Sequence, residues 1–521
     1  MAQVCLNCGA PPNFASLLEP QPTPSLDLTH LLTSNEPPPD SEVPLIRDII
    51  SESQSRIGPL DAHIETLQAQ IRSLETTLAE FVERREETVE LVRQHQSIVS
   101  PARRMPAELI CHILALTWEA YKDTTNGPPW YLGHICRLWR HSVLLYPNLW
   151  SSITVPSFKS SEGSHLLSSI EAQLVRSADV PLDLYWPSVQ SEVDPRLLDL
   201  VFRHCRRWRS LHFHDPAQHR DRMLHWLRPV DGQLDQLQKL TLVSHSGMFV
   251  GDVFATAPNL REVILTDGVS SYSPEGIVIR WGQITHYRGT YAAPRQFNIL
   301  RAAPNLVECD LGFTNVDFDP DASMIDLPNL RRLSSDYVAF LEYLTAPILD
   351  DLRLTLGGEQ LVPLLPFIHR SSCTLTRLAL TELIAIDVDA MSTLRELPSL
   401  TYLLLEYASD ADIDAYNGLD WINAMFVSGA PSDICPDLAT LVVGYTDADQ
   451  LPFAFFEMVR SRFQSNRTRS SHLECLRIFD AGSLTALSDE ALAQMNGLRE
   501  EELDVALVEW EDGVQLKKDL L

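Results

Sequence analysis

The chain has 521 residues, with 41 Lys and Arg against 70 Asp and Glu, which gives a formal net charge of -29. Hydrophobic residues make up 45% of it, so it can bury a large core and is not disordered as a whole. An acid excess of this size excludes nucleic acid and anionic membrane as main partners, because phosphate contacts need clustered Lys and Arg.

Residues 1–43 hold eight of the 34 prolines, five acids and no Lys or Arg. They show little apolar periodicity, which predicts a disordered, proline-rich tail. Cys5 and Cys8 form half of a zinc knuckle, but tetrahedral zinc needs four ligands and no second pair follows. Two readings remain for them: a weak metal site completed by a dimer or a distant His, or a solvated tail. Nine cysteines, no long apolar run and no signal-like start together predict a reduced protein of the cytoplasm or nucleus, not secreted.

From Val43 the apolar residues step by three and four, and from Ile57 to Phe81 they form an unbroken heptad seam. That pattern predicts a coiled-coil helix over 44–100. Gly58-Pro59 is expected to divide it into a short helix before 57 and a long one from about 60 to 97. The seam is covered either by a second copy in a homodimer or by the chain folding back.

Residues 101–153 carry five basic and three acidic side chains, the one positive segment of the chain. Pro106 can open a helix, Glu108 suits its positive end, and Leu109, Ile110, Ile113 and Leu114 share a side. A second helix is expected to carry Leu132, Ile135, Cys136 and Trp139 at helical spacing.

Met105-Pro106-Ala107-Glu108-Leu109 with Ile113-Leu114, followed by Ile135-Cys136-Arg137-Leu138-Trp139-Arg140, resembles an F-box. Pro147-Asn148-Leu149-Trp150 and the heptad helix upstream resemble the large fungal class of F-box proteins with leucine-rich repeats. Two features depart from the pattern. Met105 stands where Leu is usual, and 118–129 lengthens the link between the helices. The resemblance implies docking on a Skp-type adaptor and, through it, a cullin ubiquitin ligase. It implies adaptor contacts from Met105, Pro106, Leu109, Ile110, Ile113, Leu114, Ile135, Cys136, Trp139 and Arg140, some of which must instead form the module's own core.

Beyond 153 one phrase returns: Pro258-Asn259-Leu260, Pro304-Asn305-Leu306 and Pro328-Asn329-Leu330, each followed by alternating apolar residues. Weaker copies open at Trp208, Leu237, Leu349, Leu375, Leu400, Leu438 and Leu473, and one interval of 46 residues divides near Trp281. Periods of 20–29 residues with this phrase characterise leucine-rich repeats. The position that holds Asn in regular repeats is Gly268, Thr314, Val338, Gly357, Leu383, Ala408, Thr446 or Ala481. Other bonds must therefore satisfy the loops, which predicts an irregular solenoid of about ten strands.

The fold class is thus α/β. A disordered tail (1–43), a coiled-coil helix (44–100), a helical F-box (101–153), a leucine-rich-repeat solenoid (154–482) and a C-terminal cap with an acidic tail (483–521) follow in order. Residues 154–205 are a candidate N-terminal cap of the repeats.

No phosphate loop, dinucleotide fingerprint, nucleophile elbow or HExxH motif is present. The run His204, Cys205, His212, His214, His219, His225 is a metal candidate, but Leu211 and Phe213 alternate with its histidines as in a half-buried strand. No cofactor and no catalytic residue are expected. Strand periodicity aims one residue per repeat at the face opposite the core: His212, Thr241, Ile264, Asp310, Ser334, Arg353, Ala379, Leu404, Val442 and Arg477. That row would hold a protein substrate of unknown identity, its apolar half suiting a protein ligand. The function implied is a non-catalytic substrate-recognition subunit. The alternative is a coiled-coil, leucine-rich-repeat interaction scaffold without ligase assembly.

Overall fold

The computed structural model describes residues 29–34, 36–121, 130–155, 163–186, 195–215, 227–244, 252–267, 277–316, 323–384, 388–407, 419–427, 433–445, 453–465, 473–480 and 489–508. Two compact units divide the chain, Met1–Pro106 and Ala107–Leu521.

The first unit holds α1 (Thr29–Thr33), α2 (Val43–Val99) and α3 (Pro101–Arg104). The expected break at Gly58-Pro59 is absent: α2 runs through it for 57 residues. Proline removes one backbone donor and crowds the carbonyl four residues back, and here the surrounding turn is exposed, so water can take up the freed carbonyl. No residue of α2 is buried.

The second unit opens with α4 (Ala107–Tyr121), a short 3-10 turn at Trp130–His134, and α5 (Arg137–Leu144). The second helix expected from Leu132 to Trp139 is therefore two elements. Cys136 adopts an extended backbone at φ -160° and ends the first before Arg137 begins the second. The link is also shorter than 118–129, because α4 continues to Tyr121. Ile110 and Leu114 of α4 and Trp139 and Val143 of α5 are buried one helical turn apart, which is how two short amphipathic helices share a core. Trp150 fastens them to the helix Gly163–Arg176: its indole N–H donates to the Val143 carbonyl at 2.9 Å, and the Arg176 guanidinium lies 4.7 Å from its ring centre.

Among the described residues, fourteen parallel strands then form one sheet whose order follows the chain. They are β1 (Ser152–Thr154), β2 (Leu182–Trp186), β3 (Trp208–Asp215), β4 (Lys239–Ser244), β5 (Glu262–Asp267), β6 (His286–Tyr291), β7 (Glu308–Phe313), β9 (Arg332–Ser335), β11 (Asp351–Thr355), β12 (Arg377–Leu383), β13 (Tyr402–Tyr407), β14 (Thr440–Tyr445), β15 (Cys475–Asp480) and β16 (Asp504–Val508). A separate pair, β8 (Ile325–Asp326) and β10 (Leu344–Thr345), lies outside the main ladder. The protein is thus mixed α/β with a large parallel sheet, and helices such as Gly163–Arg176, Ala293–Ala302, Leu364–Ser371 and Phe453–Ser465 make crossovers. Every strand opening read from the sequence begins a strand, and the interval divided near Trp281 holds β6. Three strands of the main sheet exceed that reading, β1, β2 and β16, as do the separate β8 and β10. Strand β16 pairs with β15 beyond residue 482, where a cap and acidic tail were expected; only its helix Asp489–Glu500 matches that expectation.

The repeated phrase forms a turn. In Ala303-Pro304-Asn305-Leu306, Leu327-Pro328-Asn329-Leu330, Ala346-Pro347-Ile348-Leu349, Leu397-Pro398-Ser399-Leu400 and Cys435-Pro436-Asp437-Leu438, the Leu N–H returns to the carbonyl three residues back. Proline second in a four-residue turn presets its φ. The following carbonyl then receives two N–H groups from the next repeat: Gln238 from Arg261 and Glu262, Arg261 from Thr285 and His286, Thr285 from Val307 and Glu308.

Three kinds of side chain replace the missing loop asparagines. Asn259 and Asn305, from the turn itself, donate to the Asp235 and Gly282 carbonyls one repeat back, both at 2.7 Å. Asp336 accepts the Phe313 N–H and Glu359 accepts the Val338 N–H. Arg207, Arg370 and Arg462 each donate to carbonyls of a preceding crossover. Arg462 is fully buried on the Met425, Ile434 and Cys435 carbonyls, so this guanidinium is a structural staple, and burial lowers its pKa to about 10.

Candidate docking faces

The basic segment separates into a packed and an open side. Ile110, Leu114 and Trp139, expected among the adaptor-facing residues, lie in the core of the module and cannot touch a partner without unfolding it. This corrects their assignment. Leu109 and Ile135 are half open to solvent, Pro106 and Arg140 are exposed, and Met105, Ile113 and Cys136 are half-buried. Met105 and Pro106 end the first unit; the others belong to the second.

Leu109, Ile113 and Leu116 lie at i, i+4 and i+7 of α4 and share one stripe, with Leu116 59% exposed. Leu116 was missed because the F-box phrase ends at Leu114; the spacing alone would have found it. Tyr131, Leu138, Leu144 and Leu145 are also exposed. Among the described residues, 109–145 present seven large exposed hydrophobics, against eleven for the whole of 152–508. Apolar surface concentrated in this way marks an interaction face. A small cleft of about 250 Å³ lies beside it, lined by Leu116, Tyr146, Pro181 and Arg209 among others.

The second candidate face is the side of the sheet turned from the core. The strand register aligns all ten residues named for it in one row: His212 opposite Thr241, then Ile264, Asp310, Ser334, Arg353, Ala379, Leu404, Val442 and Arg477. The sequence reading skipped Arg288 between Ile264 and Asp310, because β6 lacks the leucines of the phrase, and Tyr185 beside His212.

Burial divides the row. Thr241, Ser334, Ala379, Leu404 and Val442 are buried, which corrects the assignment of these five to an open surface. Ala379, Leu404 and Val442 make a second small core with Tyr402 and Val508 packed on it. The apolar half that seemed suited to a ligand is therefore occupied by the chain's own packing. His212, Ile264, Arg288, Asp310, Arg353 and Arg477 keep accessible surface.

The accessible members other than Ile264 are polar and partly paired. Arg288 and Asp310 form an ion pair at 2.7 Å, Arg477 pairs with Asp504 at 2.5 Å, and His212 stacks on Tyr185 with ring centres 4.5 Å apart. Burial, helped by His214 and Lys239, lowers the His212 pKa, so the ring is neutral at pH 7.

Two residues back along each strand, the same face carries an alternating ladder. Lys239, Glu262, His286, Glu308, Arg332, Asp351 and Arg377 stand opposite one another in order. Lys239 pairs with Glu262 at 2.7 Å, Arg332 with Glu308 at 2.8 Å, and Arg377 with Asp351 at 3.2 Å before stacking on Tyr402. The more exposed pairs, Lys239–Glu262 and Arg332–Glu308, contribute only about 0–1 kcal/mol each. Their larger consequence is that these charges are committed to each other and not presented to a polyanion.

Among the described residues no group of three or more His, Cys, Asp or Glu could hold a metal ion. Cys5, Cys8, His219 and His225 lie outside the described residues, as do Gly268, Ala408, Thr446 and Ala481. Burial pushes the Cys435 thiol up to about 12 and Cys309 well above its ordinary value, the opposite of an activated nucleophile. Among the described residues, no helix is long and apolar enough to cross a membrane. No protein-family model matches the chain, and no curated protein is similar to it.

Proposed function

We propose that this protein is a substrate-recognition subunit of a Skp–cullin–F-box ubiquitin ligase. In this reading residues 101–153 are an F-box, and the sheet with its crossovers is an irregular leucine-rich-repeat solenoid that holds a protein substrate. The observation that carries it is the apolar stripe Leu109, Ile113 and Leu116, exposed at both ends and half-buried at Ile113, set directly after Pro106 in the segment that resembles an F-box. The solenoid reading is supported by strands in chain order, five of them opened by the same proline turn. Such a protein works by proximity, so its own residues need only bind. The substrate would meet the mixed polar surface around His212, Ile264, Arg288 and Asp310.

The alternative is an interaction scaffold whose F-box-like segment only packs against the first repeat, to which Trp150 joins it through Arg176. Co-purification of a Skp-type adaptor with the wild type and with Pro106→Ala/Leu109→Ala separates the two. Retention by the wild type and loss by the variant is expected; a wild type that retains no adaptor leaves the scaffold.

A further inference from the structure

We infer that α2 is one strand of a parallel, two-stranded coiled coil whose other strand is a second copy of this chain. Ile57, Ile64 and Ile71 recur every seven residues, and Leu60, Leu67 and Leu74 follow each by three. In heptad lettering these are a and d positions. β-branched residues at a with leucine at d favour two parallel strands over trimers or tetramers. The three isoleucines are 53, 49 and 54% exposed and Leu74 69%, while Leu60 and Leu67 are half-buried, along a helix in which no residue is fully buried. Such a stripe of apolar surface on a long helix requires a cover.

Charge complementarity gives the direction. Arg56 falls at g and Asp61 at e of the next heptad. In a parallel, in-register pair the g residue of one helix lies beside the following e residue of the other, so Arg56, which already has one interaction partner, also comes beside Asp61 of the second copy, twice by symmetry. An antiparallel pair would set g against g and e against e. Within one helix, residues five apart do not face each other. Pro59 falls at c, on the outer side, where its ring stays clear of the seam. Arg85 occupies an a position just past Phe81, a polar seam residue of the kind that fixes register at some cost in stability.

This inference does not rest on the ligase reading. If both hold, the dimer offers two adaptor faces and two substrate surfaces, raising avidity without any new contact.

Light scattering of the full-length chain at micromolar concentration is expected to give about twice the 58.7 kDa chain mass. Ile64→Lys/Ile71→Lys should return a monomer with unchanged thermal unfolding of the sheet. Arg56→Glu and Asp61→Arg should each weaken the dimer about three- to tenfold, and the double reversal should restore it. A monomeric wild type, or a dimer that survives the paired lysines, overturns the coiled coil. Failure of the double reversal to restore binding overturns the parallel arrangement.

Discussion

Leu109 and Ile110 are consecutive in α4, and the first is 54% exposed while the second has no exposed surface. A helix turns about 100° per residue, so neighbours can serve different partners. Leu109 faces outward with Ile113 and Leu116; Ile110 joins Leu114 in the module's core.

The two substitutions should therefore have opposite signatures. Ile110→Ala should cost about 2–5 kcal/mol, the usual range for an emptied core position. Leu109→Ala should stay within about 0.5 kcal/mol of the wild type, as exposed substitutions do. Urea unfolding followed by circular dichroism measures both; equal losses would mean that Leu109 is packed.

Gly289 is fixed by Tyr287. A Cβ at position 289 would run into the Tyr287 ring and hydroxyl, which lie across the glycine. That hydroxyl donates to Gln296 Oε1 at 2.8 Å, and the Gln296 amide donates to the Gly289 and Gly312 carbonyls at 2.7 and 2.9 Å. Burial keeps the phenol neutral, with its pKa raised well above the ordinary value. Gly289→Ala should cost about 1–3 kcal/mol from overpacking. In a Tyr287→Leu background the same change should cost less, because the two sites share the space. Additive losses in the urea-unfolding cycle would contradict this coupling.

Asp351 carries a pH dependence of known sign. Burial pushes its carboxyl up to about 6 despite Arg377 and Arg332 beside it. The unfolded chain titrates near 3.8, so between these values the folded state holds more protons. The stability this group adds is present below about pH 4 and is lost as the pH rises through about 6. Relative to the wild type, Asp351→Asn should therefore gain about 1–3 kcal/mol between pH 4 and pH 8. Urea titrations at both values test it. A relative loss would mean that the Arg377 ion pair outweighs burial.

Much of the sheet was legible because its signal is local. Proline preset five of the turns, and leucines two residues apart fixed the register, so the row from His212 to Arg477 aligned as spaced. What covers that row was not legible. Ala379, Leu404 and Val442 are buried by packing that depends on distant residues such as Val508, and no periodicity within a strand reveals it. β16 was hidden for a similar reason, since the acids at 500–504 marked its approach and the run Val505 to Val508 is too short to signal by itself. In the helical module the apolar positions were found, but i and i+1 both looked apolar, and only packing separates Leu109 from Ile110. Pro59 misled because the rule against interior proline assumes a crowded neighbourhood, and α2 there is open.

The proposed docking site for a Skp-type adaptor is the apolar stripe of α4. Calorimetric titration of purified adaptor into the full-length chain, wild type and Leu109→Ala/Leu116→Ala, tests it most directly. Saturable binding by the wild type, weakened at least about tenfold in a variant with unchanged unfolding, is the expected result. No binding by the wild type, or equal binding by both, would contradict it.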